Sequence, residues 1–177
     1  MNRRATRVEF RGIVEHRHEA DGLVTMAGQA ALVHRGVVRS ITLACPDGCG
    51  EMLTVNLDRR SGPAWRFYRD ADSISIFPSV WRTTGCKSHF IVWRSRIYWC
   101  DWHEELEPTS EAFEHVVLAK LTSAFQEYTA VADQLGTVPW AVLVACNRLT
   151  THGLAQRGAG DEKHCFRLRP VASVGVG

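Results

Sequence analysis

Four of the six cysteines fall between positions 45 and 100, on turns that have the make-up of metal-ligand turns. The first reads Cys45-Pro46-Asp47-Gly48-Cys49-Gly50; the second reads Gly85-Cys86-Lys87-Ser88-His89-Phe90, and Trp99-Cys100 follows. Zinc takes four ligands in a tetrahedron, and thiolates and imidazoles arriving in pairs on tight turns supply them with little backbone strain. The three residues between Cys45 and Cys49 include Pro and Gly, which turns both sulfurs one way. Gly50 lets the backbone bend close to an ion. Cys86 and His89, two residues apart, form a second pair. The pattern predicts a Zn2+ site of Cys45, Cys49, Cys86 and His89. Cys100 competes with His89 for the fourth position, because a hairpin through residues 90–99 returns it near Cys86; His89 is then free for proton transfer. A fold that satisfies this must bring two distant bends together, and that constrains the chain more than any other feature.

Thiols stay reduced in the cytoplasm, where six cysteines point to metal or catalysis before disulfides. The N-terminus has no apolar signal stretch, and no apolar run approaches the roughly twenty residues of a membrane span. The expected location is therefore cytoplasmic, without a membrane partner. A net charge of +2 is too small to argue for nucleic acid, and the run Arg3, Arg4, Arg7, Arg11, Arg17 reads as a solvated strand edge.

The expected fold is α+β: a small antiparallel β-rich zinc-binding unit of short hairpins over residues 1–105, a helical extension over 106–150, and a flexible Gly-rich tail over 151–177. Strand signals run through residues 6–14, 23–26, 30–34, 37–44, 51–57, 65–68, 73–77, 90–93 and 97–99, punctuated by turn residues. Pro78 is expected to end its strand. The aromatics Trp65, Phe67, Phe77, Trp81, Phe90, Trp93 and Trp99 read as core and sheet-face packing. From Ser110 to Leu135 the apolar residues recur at spacings of three and four, which predicts one amphipathic helix with acidic residues at its start and Gly136 at its end. Residues 139–149 form a shorter apolar helix or strand. The tail is expected to fray.

For an open, catalytic zinc the chain needs a proton carrier near a metal-activated water. Glu51, two residues beyond Cys49, is the nearest carboxylate in sequence. Ser88, between two ligands, is placed to donate a hydrogen bond at the same centre. Glu51 and Ser88 are thus the candidate catalytic residues. Other motifs fail. There is no His-Glu-x-x-His helix, no phosphate loop and no Gly-x-Ser-x-Gly elbow; His103-Glu104-Glu105 follows the cysteine turn instead of preceding it as in zinc deaminases. His16, His18 and His34 read as solvated side chains. Cys146, His152, His164 and Cys165 read as core thiols and tail histidines, not as a second site.

Taken together, Cys45-Pro46-Asp47-Gly48-Cys49-Gly50-Glu51, Pro78-Ser79-Val80-Trp81, Gly85-Cys86-Lys87-Ser88-His89-Phe90 and Ile97-Tyr98-Trp99-Cys100 resemble the bacterial domain-of-unknown-function family six-five-two-seven, over roughly residues 6–102. Many members read Cys-Pro-Cys-Gly-Cys-Gly at the first turn, where this chain has Asp47, and some lack a cysteine at the position of Cys100. Members are often encoded beside ubiquitin-like proteins and their E1-like and E2-like enzymes, in the place where other such clusters carry a zinc peptidase. The resemblance therefore implies a zinc-dependent peptidase that processes or deconjugates a bacterial ubiquitin-like protein, with E1-like and E2-like proteins as further partners. The alternative is a non-catalytic zinc-ribbon-like binding module of the same pathway. A site closed by four protein ligands favours the second; three ligands, a water and a nearby carboxylate favour the first.

Overall fold

A computed structural model describes residues 4–170 of the chain. Arg3 of the basic run and the last seven residues of the expected tail lie outside them. The chain is α+β and divides into two compact units, Met1–Glu105 and Leu106–Gly177.

The first unit is built from two four-stranded sheets. One contains β1 (Glu9–Val14), β2 (Gln29–Arg35), β3 (Val37–Ala44) and β4 (Met52–Asn56) in that order. β1 runs parallel to β2 and the other pairs are antiparallel. The other contains β5 (Arg66–Asp70), β6 (Ser73–Trp81), β7 (His89–Trp93) and β8 (Arg96–Trp99), all antiparallel. The strand period of two sorts their side chains. Ala30, Leu32, Ile41 and Leu43 join Ile74, Ile76, Phe90, Val92, Ile97 and Trp99 in one core shared by the two sheets. Ala31 and Val33, on the opposite face of β2, pack with Val14, Ala20 and Val24. Residues 23–26, expected as a strand, instead follow a 3₁₀ turn (Arg17–Gly22) and cover this second face through Val24. The strand-like composition was outweighed there by a local hydrogen-bonded turn, with the Leu23 and Val24 N–H groups both donating to the Ala20 carbonyl.

Two tight bends hold the first unit in register. Arg94 and Ser95 both have positive φ (50° and 59°), the combination of a two-residue hairpin turn whose twist matches its strands. Ser95 is 4% exposed. Its Oγ accepts a hydrogen bond from the Ile74 N–H at 3.0 Å, and its own N–H donates to the Ile74 carbonyl at 2.7 Å. Ser95→Ala strands the buried Ile74 N–H and is expected to cost about 1–3 kcal/mol in chemical denaturation; an unchanged midpoint would show that the bond carries no stability.

Asp58 caps the turn Arg59–Ser61, accepting from the Arg60 N–H. It also takes the Arg60 guanidinium at 2.8 Å and the Arg39 guanidinium at 2.7 Å. The Arg60 guanidinium first, and then the Arg60 N–H and Arg39, hold the Asp58 carboxyl well below the usual carboxylate range, against burial that pushes it up. A lowered folded pKa adds stability that is complete above the unfolded value of about 3.9 and is lost as the pH falls from there toward the folded value. The difference in thermal midpoint between wild type and Asp58→Asn should therefore be largest near neutrality and shrink below about pH 4. A difference that does not vary with pH would contradict this.

The second unit contains α1 (Glu111–Leu118), β9 (Gln126–Glu127), α2 (Tyr128–Leu135), α3 (Pro139–Thr151), β10 (Ala155–Arg157) and β11 (Cys165–Leu168). The single helix expected from Ser110 to Leu135 is thus two helices separated by a turn and a strand. Its start is as expected, with the Ser110 hydroxyl accepting from the Phe113 N–H. It stops because Thr122 and Gln126 satisfy the backbone locally: Gln126 Oε1 accepts from the Thr122 N–H at 2.8 Å, and Thr122 Oγ1 accepts from the Ala124 N–H at 3.2 Å. Such side chains offer the backbone an alternative to the helix ladder. Residues 139–149 are helical, with Pro139 in the first turn where its missing N–H costs nothing. The expected tail contains two strands: β10 and β11 pair antiparallel, and β11 also pairs with β9.

α2 and α3 meet at 118° across Gly136-Thr137-Val138, and a strand precedes them and a hairpin follows. This is the order of a helix-turn-helix with a β wing. A helix that reads a DNA groove needs polar side chains facing outward. Most of α3 is instead buried, through Pro139, Trp140, Ala141, Val142, Val144, Ala145, Cys146 and Leu149, and only Asn147 and Thr151 are exposed. The Glu114 carboxylate, itself buried, binds the Arg148 guanidinium and ties α1 to α3. No single helix among the described residues is long and apolar enough to cross a membrane.

Candidate active site and thiol cluster

β6 carries an irregularity that positions a side chain. Ile76 pairs with Val92 and Val80 with Phe90, so Phe77, Pro78 and Ser79 face a single β7 residue, Ile91. Pro78 does not end the strand, as expected from its sequence; it falls in this bulge, where the missing N–H breaks no ladder bond. Bulges re-aim side chains, and they gather beside active sites. Here Ser79 Oγ lies 3.0 Å from Nε2 of His89, the first residue of β7. The Ser79 carbonyl is anchored by the Trp65 indole N–H at 3.2 Å. Ser79 and His89 are half-buried. The Trp81 ring, 65% exposed, flanks the imidazole at 5.6 Å. Among the described residues no carboxylate completes a triad with His89, so the pair is a serine–histidine dyad.

The second feature is the thiol cluster. Cys45, at the end of β3, opens a tight turn in which the Gly48 N–H donates to the Cys45 carbonyl and the Cys45 N–H donates to the Glu51 carbonyl. Gly48 and Gly50 sit at φ 79° and 81°, the left-handed region that glycine enters without strain. Cys86 lies in the loop from β6 to β7, which the Arg82 N–H closes on the Ser88 carbonyl at 2.9 Å. The ligand atoms of Cys45, Cys49 and Cys86 all lie within 4.8 Å of one another and could hold a metal ion. Two thiolates on one zinc at about 2.3 Å stand about 3.8 Å apart in a tetrahedron, and Cys45 and Cys86 are 3.6 Å apart. The sulfurs therefore fit a thiophilic ion as three of its four ligands.

The other residues singled out in the sequence fall elsewhere. The convergent group does not include His89, which is bonded to Ser79, or Cys100, which lies in the turn after β8. Ser88, 2% exposed, faces the cluster with Oγ 3.6 Å from the Cys45 sulfur. The Glu51 carboxylate binds Arg82 Nη2. Arg82 Nη1 also reaches the sulfurs of Cys86, Cys49 and Cys45 at 3.1, 3.4 and 4.0 Å. The guanidinium is the group that joins Glu51 to the thiols.

Environment splits the thiols. Burial pushes the Cys45 thiol up to about 11. At Cys86 burial acts in the same direction, but hydrogen bonds from the Ser88 hydroxyl and N–H and from the neighbouring cysteines bring it down to about 7. Burial and the Asp101 charge raise the Cys100 thiol. Cys86 is thus more easily ionised than Cys45.

Sequence reasoning reached both turns and missed Ser79. The serine stood in the segment Pro78-Ser79-Val80-Trp81 without a role, because its partner is ten positions away and only the bulge brings the two together. A proline inside a strand, with a serine after it and a histidine opening the next strand, is the signal that was available.

Residues 15–100 match the family model of the bacterial ubiquitination-like system serine protease (BubE). The matched stretch, just under half of the chain, contains Ser79, His89 and all three clustered thiols. It is similar to a family associated with a bacterial ubiquitination-like pathway, which agrees with the pathway that the resemblance implied. The description also names a serine protease, and this overturns the expected zinc-dependent peptidase. No curated protein and no solved structure matches the chain.

Proposed function

We propose that this protein is a serine protease of a bacterial ubiquitination-like system, with Ser79 as nucleophile and His89 as general base, acting in the cytoplasm on the C-terminal tail of a ubiquitin-like partner. The observation that carries the reading is the 3.0 Å contact between Ser79 Oγ and His89 Nε2. A serine hydroxyl is a weak nucleophile until an adjacent base accepts its proton. As Ser79 Oγ attacks the scissile carbonyl, His89 takes the hydroxyl proton and then passes it to the leaving amine, whose bond to the acyl carbon breaks. Water hydrolyses the resulting acyl-serine by the same proton route in reverse. The anchored Ser79 carbonyl fixes the nucleophile's backbone. The exposed face of Trp81 makes a wall beside the imidazole, suited to an extended, small-residue tail.

In this reading Cys45, Cys49 and Cys86 would hold a zinc ion in a structural role: only three protein ligands converge, but the carboxylate that an open catalytic site would need, Glu51, is bound to Arg82. When bound, it ties the turn after β3 to the loop from β6 to β7, three residues before His89. Ser88 and Arg82 support that loop, and Glu51 has no part in proton transfer. E1-like and E2-like proteins of the same pathway are further candidate partners.

The test is cleavage of C-terminally extended ubiquitin-like proteins from the same gene cluster. Wild type should release the extension, and Glu51→Gln should retain cleavage within about threefold of wild type, as expected for a residue outside the proton route. A Glu51→Gln loss as deep as that of Ser79→Ala would overturn the assignment.

A further inference from the structure

On the other sheet of the first unit, three elements bring positive side chains to one cleft. It is open to solvent, has a volume of about 370 Å³ and is lined by Glu15, His16, Arg17, Val33, Arg35 and Arg39. Like charges gathered in this way repel unless counter-ions are supplied. The protein supplies few. Arg17 Nε donates to a neutral group, the Thr54 hydroxyl, at 3.1 Å. Arg39 has Asp58, but that carboxylate is shared with Arg60. Arg35 is exposed and makes no ion pair among the described residues. Glu15 is the cleft's single lining carboxylate.

We propose that this cleft docks the carboxylates of an acidic protein segment. The guanidiniums arrive from the turn before β2, the end of β2 and the start of β3, so they meet spaced carboxylates better than one compact anion. Glu15 on the same rim works against a small, multiply charged ion surrounded by all three. Val33, 6% exposed, gives the apolar floor that a peptide's methylene groups can cover. Guanidiniums bind carboxylates through paired N–H donors, which gives such a cleft direction as well as charge. The site is separate from Ser79 and does not depend on proteolysis.

A fluorescein-labelled hexaglutamate peptide titrated into the full chain by anisotropy tests this directly. Saturable binding is expected, weaker at about 0.15 M salt than at low salt, with no binding of a hexalysine peptide. Arg17→Ala with Arg35→Ala should weaken binding about tenfold, with the thermal midpoint retained; Arg35→Glu alone should weaken it too. Ser79→Ala should bind like wild type, so a failure of the protease reading leaves this result standing. Unchanged binding by the arginine variants, or full displacement by equimolar inorganic phosphate, would overturn the proposal, the latter in favour of a small-anion site.

Discussion

Ser79→Ala is expected to keep its fold and to lose cleavage of a ubiquitin-like substrate by about 10³-fold or more. Ser79 is half-buried in a bulge, and its side chain makes one hydrogen bond, to His89. Its hydroxyl therefore contributes little to stability, and the thermal midpoint should move by only a few degrees. His89→Ala should cost a comparable factor, and the double variant little more than either single one, because the two side chains act as a unit. Multiplying losses would mean that they act separately. Ser88→Ala provides the contrast. Ser88 is buried against the thiols, so its loss should lower stability and spare the chemical step in whatever protein remains folded.

The second large effect concerns the thiols. Cys86→Ser should abolish stoichiometric zinc binding and lower the thermal midpoint by about 10 °C or more, because metal binding free energy is folding free energy when the site exists only in the folded chain. Cys45→Ser should do the same, since Cys45 is buried at the centre of the cluster. Cys100→Ser should leave zinc content unchanged, because Cys100 is not among the three converging thiols. Mass spectrometry under native conditions reads the zinc, and a thermal scan with and without chelator reads the coupling. Full zinc content in Cys86→Ser would refute the assignment of that ligand.

The fold was legible where its periodicity was local. Runs of strand-type residues located β2, β3, β6 and β7, and turn residues placed the hairpins. The helix from Ser110 was legible at its cap but not at its end, since the turn of Thr122 and Gln126 leads into β9, whose partner strand comes about forty residues later. The hairpin of β10 and β11 was hidden by its glycines and charged residues, which read as tail. At the site, Cys45, Cys49 and Cys86 were visible because a ligand turn announces itself by spacing. Ser79 was not, because a dyad across a bulge has no spacing of its own. The error in chemistry followed from the same gap: with the serine unassigned, the only reactive centre in view was the metal.

The most direct test is to treat the purified protein with a fluorophosphonate probe and locate the adduct by peptide mass mapping. A single phosphonyl adduct on Ser79, absent from His89→Ala, is the result this account predicts. No adduct on Ser79, or an adduct on another serine in protein that still cleaves its substrate, would contradict it.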